Sequence, residues 1–479
     1  MINVRLKLMI FLFWIGFNVT ASISNTCFRS NDRVVFLGDS ITHAGMFHTY
    51  VQAFYATRFP EKNVIIYNLG ISGDTAKGAA ERCSSFGEGL WESDVRSYEP
   101  TAAVVMLGMN DASSVIFNDA SSPQELERKI EQRIQWFGDN YGKIIDRLEL
   151  LQINPIRLIK SSPYDQTMQD MNARKNLHNF GFGKNDLIRR MAVEVIDKES
   201  ADRKIEIIDF NTPMIKLNEV QQEFDPAFSI IGLDRVHPGV QGHMLMAYLF
   251  LKSQNIGRSV SEFALNFETL EVLTNNNCVI NILESDPEGR ISFEYKARSI
   301  PYPVDLYKPY KLIVPFEEEM NQELVVIKNL NIAHYRLEVD GIHIGIFSKN
   351  ELDRGINIAS YANTPQGIQA KDVWKLCEKR ARISSLIRNI IWSDNQLRKK
   401  KEIDRTDFNL CKEEVNWMLE NDKSLTLYMR RVLRDYIENI DHYYALRDKI
   451  DKLSNDIYAK AQPVCRTFEL IPIREVENE

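Results

Sequence analysis

Five short apolar segments, the first three ending at glycine, alternate with helix-length stretches over the first half of this 479-residue chain. Residues 33–37 stop at Gly38, residues 64–69 at Gly70, and residues 102–107 at Gly108; residues 156–159 and 205–209 follow. Helical patterns fill 47–59, 75–83, 122–149 and 184–200, and a last helix at 242–251 closes the series. Strands that are apolar throughout, rather than alternating, are buried on both faces. With helices between them they predict a parallel sheet covered on both sides. In such sheets the chemistry lies beyond the carboxyl ends of the strands. The polar residues just after each apolar run are therefore the ones that matter.

The pattern changes after this α/β part. Residues 279–283 and 290–295 are strands separated by a Pro-Glu-Gly turn, and four prolines, Pro301, Pro303, Pro309 and Pro315, follow. Residues 323–329 and the alternating 335–339 come next, the latter closed by Asp340-Gly341, a hairpin turn signal. A small antiparallel module is expected. From Gln366 to about Lys460 the chain reads as helical. Ile383, Leu386, Ile390 and Leu397 form one apolar stripe; Val432, Tyr436, Tyr443, Leu446, Ile450, Leu453 and Ile457 form another. These stripes pack against each other or the catalytic part, the alternative being a homodimeric coiled coil through the C-terminal helices. The expected division is 1–21, 22–257, 258–365 and 366–479.

The N-terminus departs from an otherwise ordinary globular composition. Arg5 and Lys7 precede an apolar run, 8–17, and Val19-Thr20-Ala21 supplies small residues for cleavage. The run is shorter than the roughly 18 residues of a membrane span, so it reads as an export signal, with an uncleaved anchor as the alternative. Secretion or a periplasmic location follows, and no integral membrane protein remains after cleavage. Formal charge is −7, or −9 without Arg5 and Lys7. Such a chain offers no diffuse attraction for phosphate backbones, and no nucleic-acid partner is expected. The basic run 398–401 reads as a solvated helix face. Six scattered cysteines (Cys27, Cys83, Cys278, Cys377, Cys411 and Cys465) include no CxxC pair, so neither a structural zinc site nor a disulfide-dense scaffold is indicated.

Chemistry gathers at the strand ends. Gly38 allows a tight exit from the first strand and places Ser40 on a strand-to-helix connection, where a nucleophilic serine needs to be. Asp234 and His237, three residues apart on one loop, supply a base and its orienting carboxylate. Pro238 keeps His237 out of the following helix. An oxyanion needs donors. The Ser40 N–H, the Gly70 N–H and the Asn110 side-chain amide are the candidates. Ser72, Asp74 and His43 are further crevice residues. His43 is either a contact to the acyl or sugar part of a substrate or a surface or capping histidine. Asp111 either orients Asn110 or caps a helix. No metal ligands or cofactor are called for.

Four blocks in chain order, Gly38-Asp39-Ser40, Gly70, Gly108-Met109-Asn110-Asp111 and Asp234-Arg235-Val236-His237, resemble the SGNH subgroup of the GDSL hydrolases. The resemblance spans roughly residues 32–253. It implies a flavodoxin-like three-layer α/β/α domain, with the antiparallel module and helical region appended. It also implies a Ser40-His237-Asp234 esterase with a structural Asp39. Export and the loose likeness of the β module to those of bacterial carbohydrate esterases imply an acylated, foremost acetylated, polysaccharide or oligosaccharide as substrate. A broad short-chain carboxylesterase, a peptidoglycan O-deacetylase and a non-catalytic glycan-binding or assembly protein are the rivals.

Overall fold

The computed structural model describes residues 27–84, 86–87, 89–400 and 403–474. The expected export signal lies outside them. The five strands form as β1 (Arg33–Gly38), β2 (Ile65–Gly70), β3 (Ala102–Leu107), β4 (Ile156–Lys160) and β5 (Glu206–Asp209). All neighbours are parallel, in the order β2-β1-β3-β4-β5. Val34, Val35, Phe36 and Leu37 are buried whichever face they point to, which is why β1 carries no alternation. The chain leaves β1 for β2 on one side and returns to β3 on the other. This reversal opens a crevice at the carboxyl ends of β1 and β3. Gly38 stands opposite both Gly70 and Met106, so three strand ends finish at one level.

Helices α1 (Ser40–His43), α2 (Met46–Arg58), α3 (Ala76–Arg82), α4 (Pro123–Leu150), α5 (Lys184–Met191), α6 (Asn211–Gln222) and α7 (Val240–Ser253) complete a three-layer α/β/α fold. The stretch read as one helix over 184–200 is α5 continued through a π turn, Ala192–Ile196, into Asp197–Arg203. Thr75 and Ser122 cap α3 and α4 by accepting backbone N–H groups, and this sets where each begins.

The β-rich part is more than one antiparallel module. Strands β6 (Ser259–Asn266), β7 (Val272–Asn276), β8 (Cys278–Ser285), β9 (Ile291–Ala297), β10 (Gln322–Lys328), β11 (His334–Val339), β12 (Ile342–Ser348) and β13 (Ile356–Asn357) divide between two sheets. The pair β6·β10 is parallel. The Asp340-Gly341 turn joins β11 to β12 with both residues at positive φ, 50° and 75°, as a tight hairpin requires.

The C-terminal part is not purely helical. Helices α8 (Pro365–Arg398), α9 (Phe408–Asn421), α10 (Leu427–Asn439) and α11 (Tyr443–Lys460) lead into β14 (Arg466–Ile473), which inserts between β9 and β11. Phe468 and Leu470 alternate inward there, a period-two signal too short to outweigh the helical run before it. The second apolar stripe is likewise two helices, broken by a 3-10 turn at Ile440–His442. Both stripes are consumed inside the chain: Ile383, Ile390, Val432, Ile450 and Ile457 join one core with the parallel sheet. The basic run is also engaged, since Arg398 pairs with Glu81 at 2.6 Å and Lys400 with Glu414. All six cysteines are unpaired. No helix among the described residues is long and apolar enough to cross a membrane.

Candidate active site

Beyond β1 the chain makes one residue of extended backbone, Asp39, and starts α1 at Ser40. The Asp39 carboxylate caps that turn by accepting the Ile41 N–H at 2.9 Å. As first residue of the helix, Ser40 keeps a backbone N–H with no intrahelical acceptor. Its Oγ lies 2.7 Å from His237 Nε2. The other ring nitrogen, Nδ1, lies 2.5 Å from Asp234 Oδ2. With the Nδ1 proton donated to the carboxylate, Nε2 is left as the acceptor for the serine hydroxyl.

One carboxylate holds this loop together. Asp234 Oδ1 accepts the N–H groups of Val236 and His237 at 3.0 and 2.9 Å while Oδ2 takes the ring. Such a reach needs a sharp reversal, and Arg235 provides it with a φ of 66°. A non-glycine residue is disfavoured in this region. Here the Arg235 guanidinium secures the turn by donating to the carbonyls of Arg174 and Asp165 at 2.7 and 2.9 Å. Partial burial opposes ionisation of Asp234, but hydrogen bonds from the His237 ring and backbone prevail and hold the carboxyl well below its ordinary range.

Of the three N–H groups expected to serve as donors, one is already engaged. The Gly70 N–H is buried and donates to Asn68 Oδ1 at 2.8 Å, so it is not free for a substrate. Gly70 is glycine for a steric reason: a Cβ there would come 2.1 Å from the His43 backbone nitrogen, where α1 rests on β2. The exposed glycine is Gly73, three residues on, with a φ of 79° and open space on its Cβ side. Its N–H has no partner among the described residues. Asn110, on the loop after β3, donates from Nδ2 to the Asp74 carbonyl at 2.9 Å, which sets the amide beside this Gly73 turn with its second N–H to spare.

A chain of serine, imidazole and carboxylate at the mouth of a parallel sheet, flanked by free N–H donors, is equipped for acyl transfer. The family model for GDSL-like lipases and acylhydrolases matches residues 34–250. A solved structure described as a gut microbial diltiazem-metabolizing enzyme is 30% identical, with a TM-score of 0.80, covering 93% of this chain and 99% of that one. This chain belongs to the GDSL lipase/acylhydrolase family. An acetylxylan esterase of Geobacillus stearothermophilus is 25% identical over 245 residues, 47% of this chain and 94% of that protein.

The remaining residues of this GDSL hydrolase sort by burial. His43 is not a substrate contact: it is buried, its Nδ1 accepts the Ser72 N–H at 3.1 Å, and burial lowers its pKa to about 3. Asp74 is turned away from the crevice into a buried ion pair with Arg82 at 2.6 Å. Ser72 remains half-exposed, its hydroxyl 2.6 Å from that of Tyr428. Asp111 neither orients Asn110 nor caps the helix that follows it; its Oδ1 accepts the Ala76 N–H at the start of α3. Burial raises Asp39 to about 6 and Asp111 to about 7. Lys184, also buried, feels the charge of both carboxyls, but its burial prevails and lowers it to about 8. Sequence reasoning passed over Gly73, Lys184, Arg235 and Tyr428. Gly73 was visible in the Ser72-Gly73-Asp74 turn. The others carry no local signal, because each acts on a partner far away in the chain.

Proposed function

We propose that this chain is a serine esterase that removes small acyl groups, acetyl foremost, from a polysaccharide or oligosaccharide. The observation that carries the reading is the unbroken chain Ser40 Oγ, His237 Nε2, His237 Nδ1, Asp234 Oδ2. In the first step His237 takes the Ser40 proton as Oγ adds to the ester carbonyl, and Asp234 stabilises the imidazolium that forms. The N–H groups of Ser40 and Gly73 and the Asn110 amide receive the negative oxygen. His237 then returns the proton to the departing alcohol, leaving an acyl-Ser40 ester. Water, deprotonated by the same imidazole, releases the carboxylic acid and restores Ser40.

The preference for acetyl and for a large alcohol rests on two supports. One relative is named an acetylxylan esterase and another a diltiazem-metabolizing enzyme. The site is also open: the His237 side chain is 46% exposed. The alcohol part of a substrate can therefore stay outside while only its ester enters. The test is labelling with a fluorophosphonate, expected for the wild type and lost in Ser40→Ala, followed by acetate release from acetylated glycans. An unlabelled, well-folded wild type overturns the esterase reading in favour of a binding protein. Faster turnover of p-nitrophenyl octanoate than of the acetate removes the acetyl preference.

A further inference from the structure

The Ser72 carbonyl and the Gly73 N–H belong to one peptide unit, and they point in opposite directions because that unit is planar and trans. The carbonyl is held. Trp392, on α8 and 320 residues away in sequence, donates its indole N–H to the Ser72 oxygen at 3.1 Å, and its side chain is buried. The far end of the same residue is fixed too, with the Ser72 N–H on His43 Nδ1 and the Ser72 hydroxyl against Tyr428 at the start of α10. Gly73 has no side chain to anchor its own plane and sits at positive φ with open space around it, so nothing on the glycine itself resists a peptide flip.

We infer that Trp392 is a positioning residue for the oxyanion site: its hydrogen bond fixes the Ser72–Gly73 peptide plane so that the Gly73 N–H is presented to the reacting carbonyl. The inference rests on the esterase reading and extends it beyond the residues matched by the family, 34–250, into the C-terminal helices. An acceptor bond on the carbonyl also polarises the peptide and strengthens its N–H as a donor. The clamp is rigid because α8 is bolted to the same loop by charge. Asp74, next to Gly73, pairs with Arg82; Arg82 pairs with Asp94 at 2.8 Å; Asp94 pairs with Arg388 at 2.8 Å. All four side chains are buried. Trp392 lies one helical turn beyond Arg388, so the indole and the ion pairs hold α8 and the loop in a single arrangement.

The experiment compares wild type with Trp392→Phe and with a protein carrying 3-benzothienylalanine at position 392, an isostere that replaces only the N–H by sulfur. With p-nitrophenyl acetate, kcat is expected to fall about tenfold or more in both, with KM within twofold and the melting temperature nearly unchanged. Trp392→His, which keeps a ring donor, is expected to recover part of the loss. Wild-type kcat in the folded isostere protein overturns the clamp alone. A rise in KM with unchanged kcat does so as well, since it assigns Trp392 to ground-state binding. A wild type that neither hydrolyses the ester nor takes the fluorophosphonate overturns the esterase reading and the clamp with it.

Discussion

The Arg388 guanidinium grips the Asp94 carboxylate with two hydrogen bonds, at 2.8 and 2.9 Å, and neither side chain is exposed. The two residues are 294 positions apart, one in the loop before β3 and one on α8. This contact welds the C-terminal helices to the hydrolase fold. Asp94 also pairs with Arg82, so one carboxylate serves two buried cations. Asp94→Ala should therefore cost about 3–5 kcal/mol, because it leaves guanidinium charge buried and uncompensated. Urea denaturation measures it; a loss under 1 kcal/mol would show that the network relaxes without Asp94.

Asp234→Asn keeps the oxygen that accepts the Val236 and His237 N–H groups, so the loop should stay folded. It withdraws the charge that favours the imidazolium and the acceptor that selects the Nε2-free tautomer. Turnover of p-nitrophenyl acetate is expected to drop by roughly three to four orders of magnitude. A drop of less than tenfold would detach Asp234 from the reaction.

Gly70 and Gly73 should fail in different ways. In Gly70→Ala the added Cβ meets the His43 backbone, and expression of folded protein or thermal stability should collapse. In Gly73→Ala the space is open and only the left-handed backbone is penalised, by about 1–2 kcal/mol. That variant should fold while losing kcat. The opposite pattern would return the donor role to Gly70.

Asn110→Ala should fold and lose roughly two to three orders of magnitude in kcat, with KM little changed. Circular dichroism and steady-state kinetics on one preparation decide this. Equal turnover in variant and wild type removes Asn110 from the oxyanion site.

Asp111 makes a prediction about pH. Its folded carboxyl titrates near pH 7, while an ordinary one titrates near 3.8. Between these values the folded protein holds a proton that the unfolded chain has released, so stability from this group falls as pH rises through the window and is level above it. Asp111→Asn retains an acceptor for the Ala76 N–H and abolishes the dependence. The variant should gain on the wild type between pH 5 and pH 8 in parallel denaturations. A constant difference across that range refutes the raised value.

How much was legible follows from how local each signal is. The five strands, their parallel order of burial, the serine after β1 and the Asp-X-X-His loop are all written in contiguous residues. Apolar runs report a strand buried on both faces, and a proline after histidine marks a loop before a helix. The amino-acid sequence by itself determined the α/β class and the residues that stand at the strand ends.

Tertiary structure decided which of those residues are free to act. Gly70 and Gly73 look alike in a string of letters, and they differ because Asn68 occupies one N–H and leaves the other. His43 turned inward because a backbone N–H from the next loop met its ring. Trp392 and Tyr428 came to the site only when α8 packed on the sheet and α10 on α8, and β14 joined one of the two β-rich sheets after four helices. A hydrogen-bonding group is defined by what remains unpaired once every neighbour has folded, and those neighbours lie hundreds of residues away.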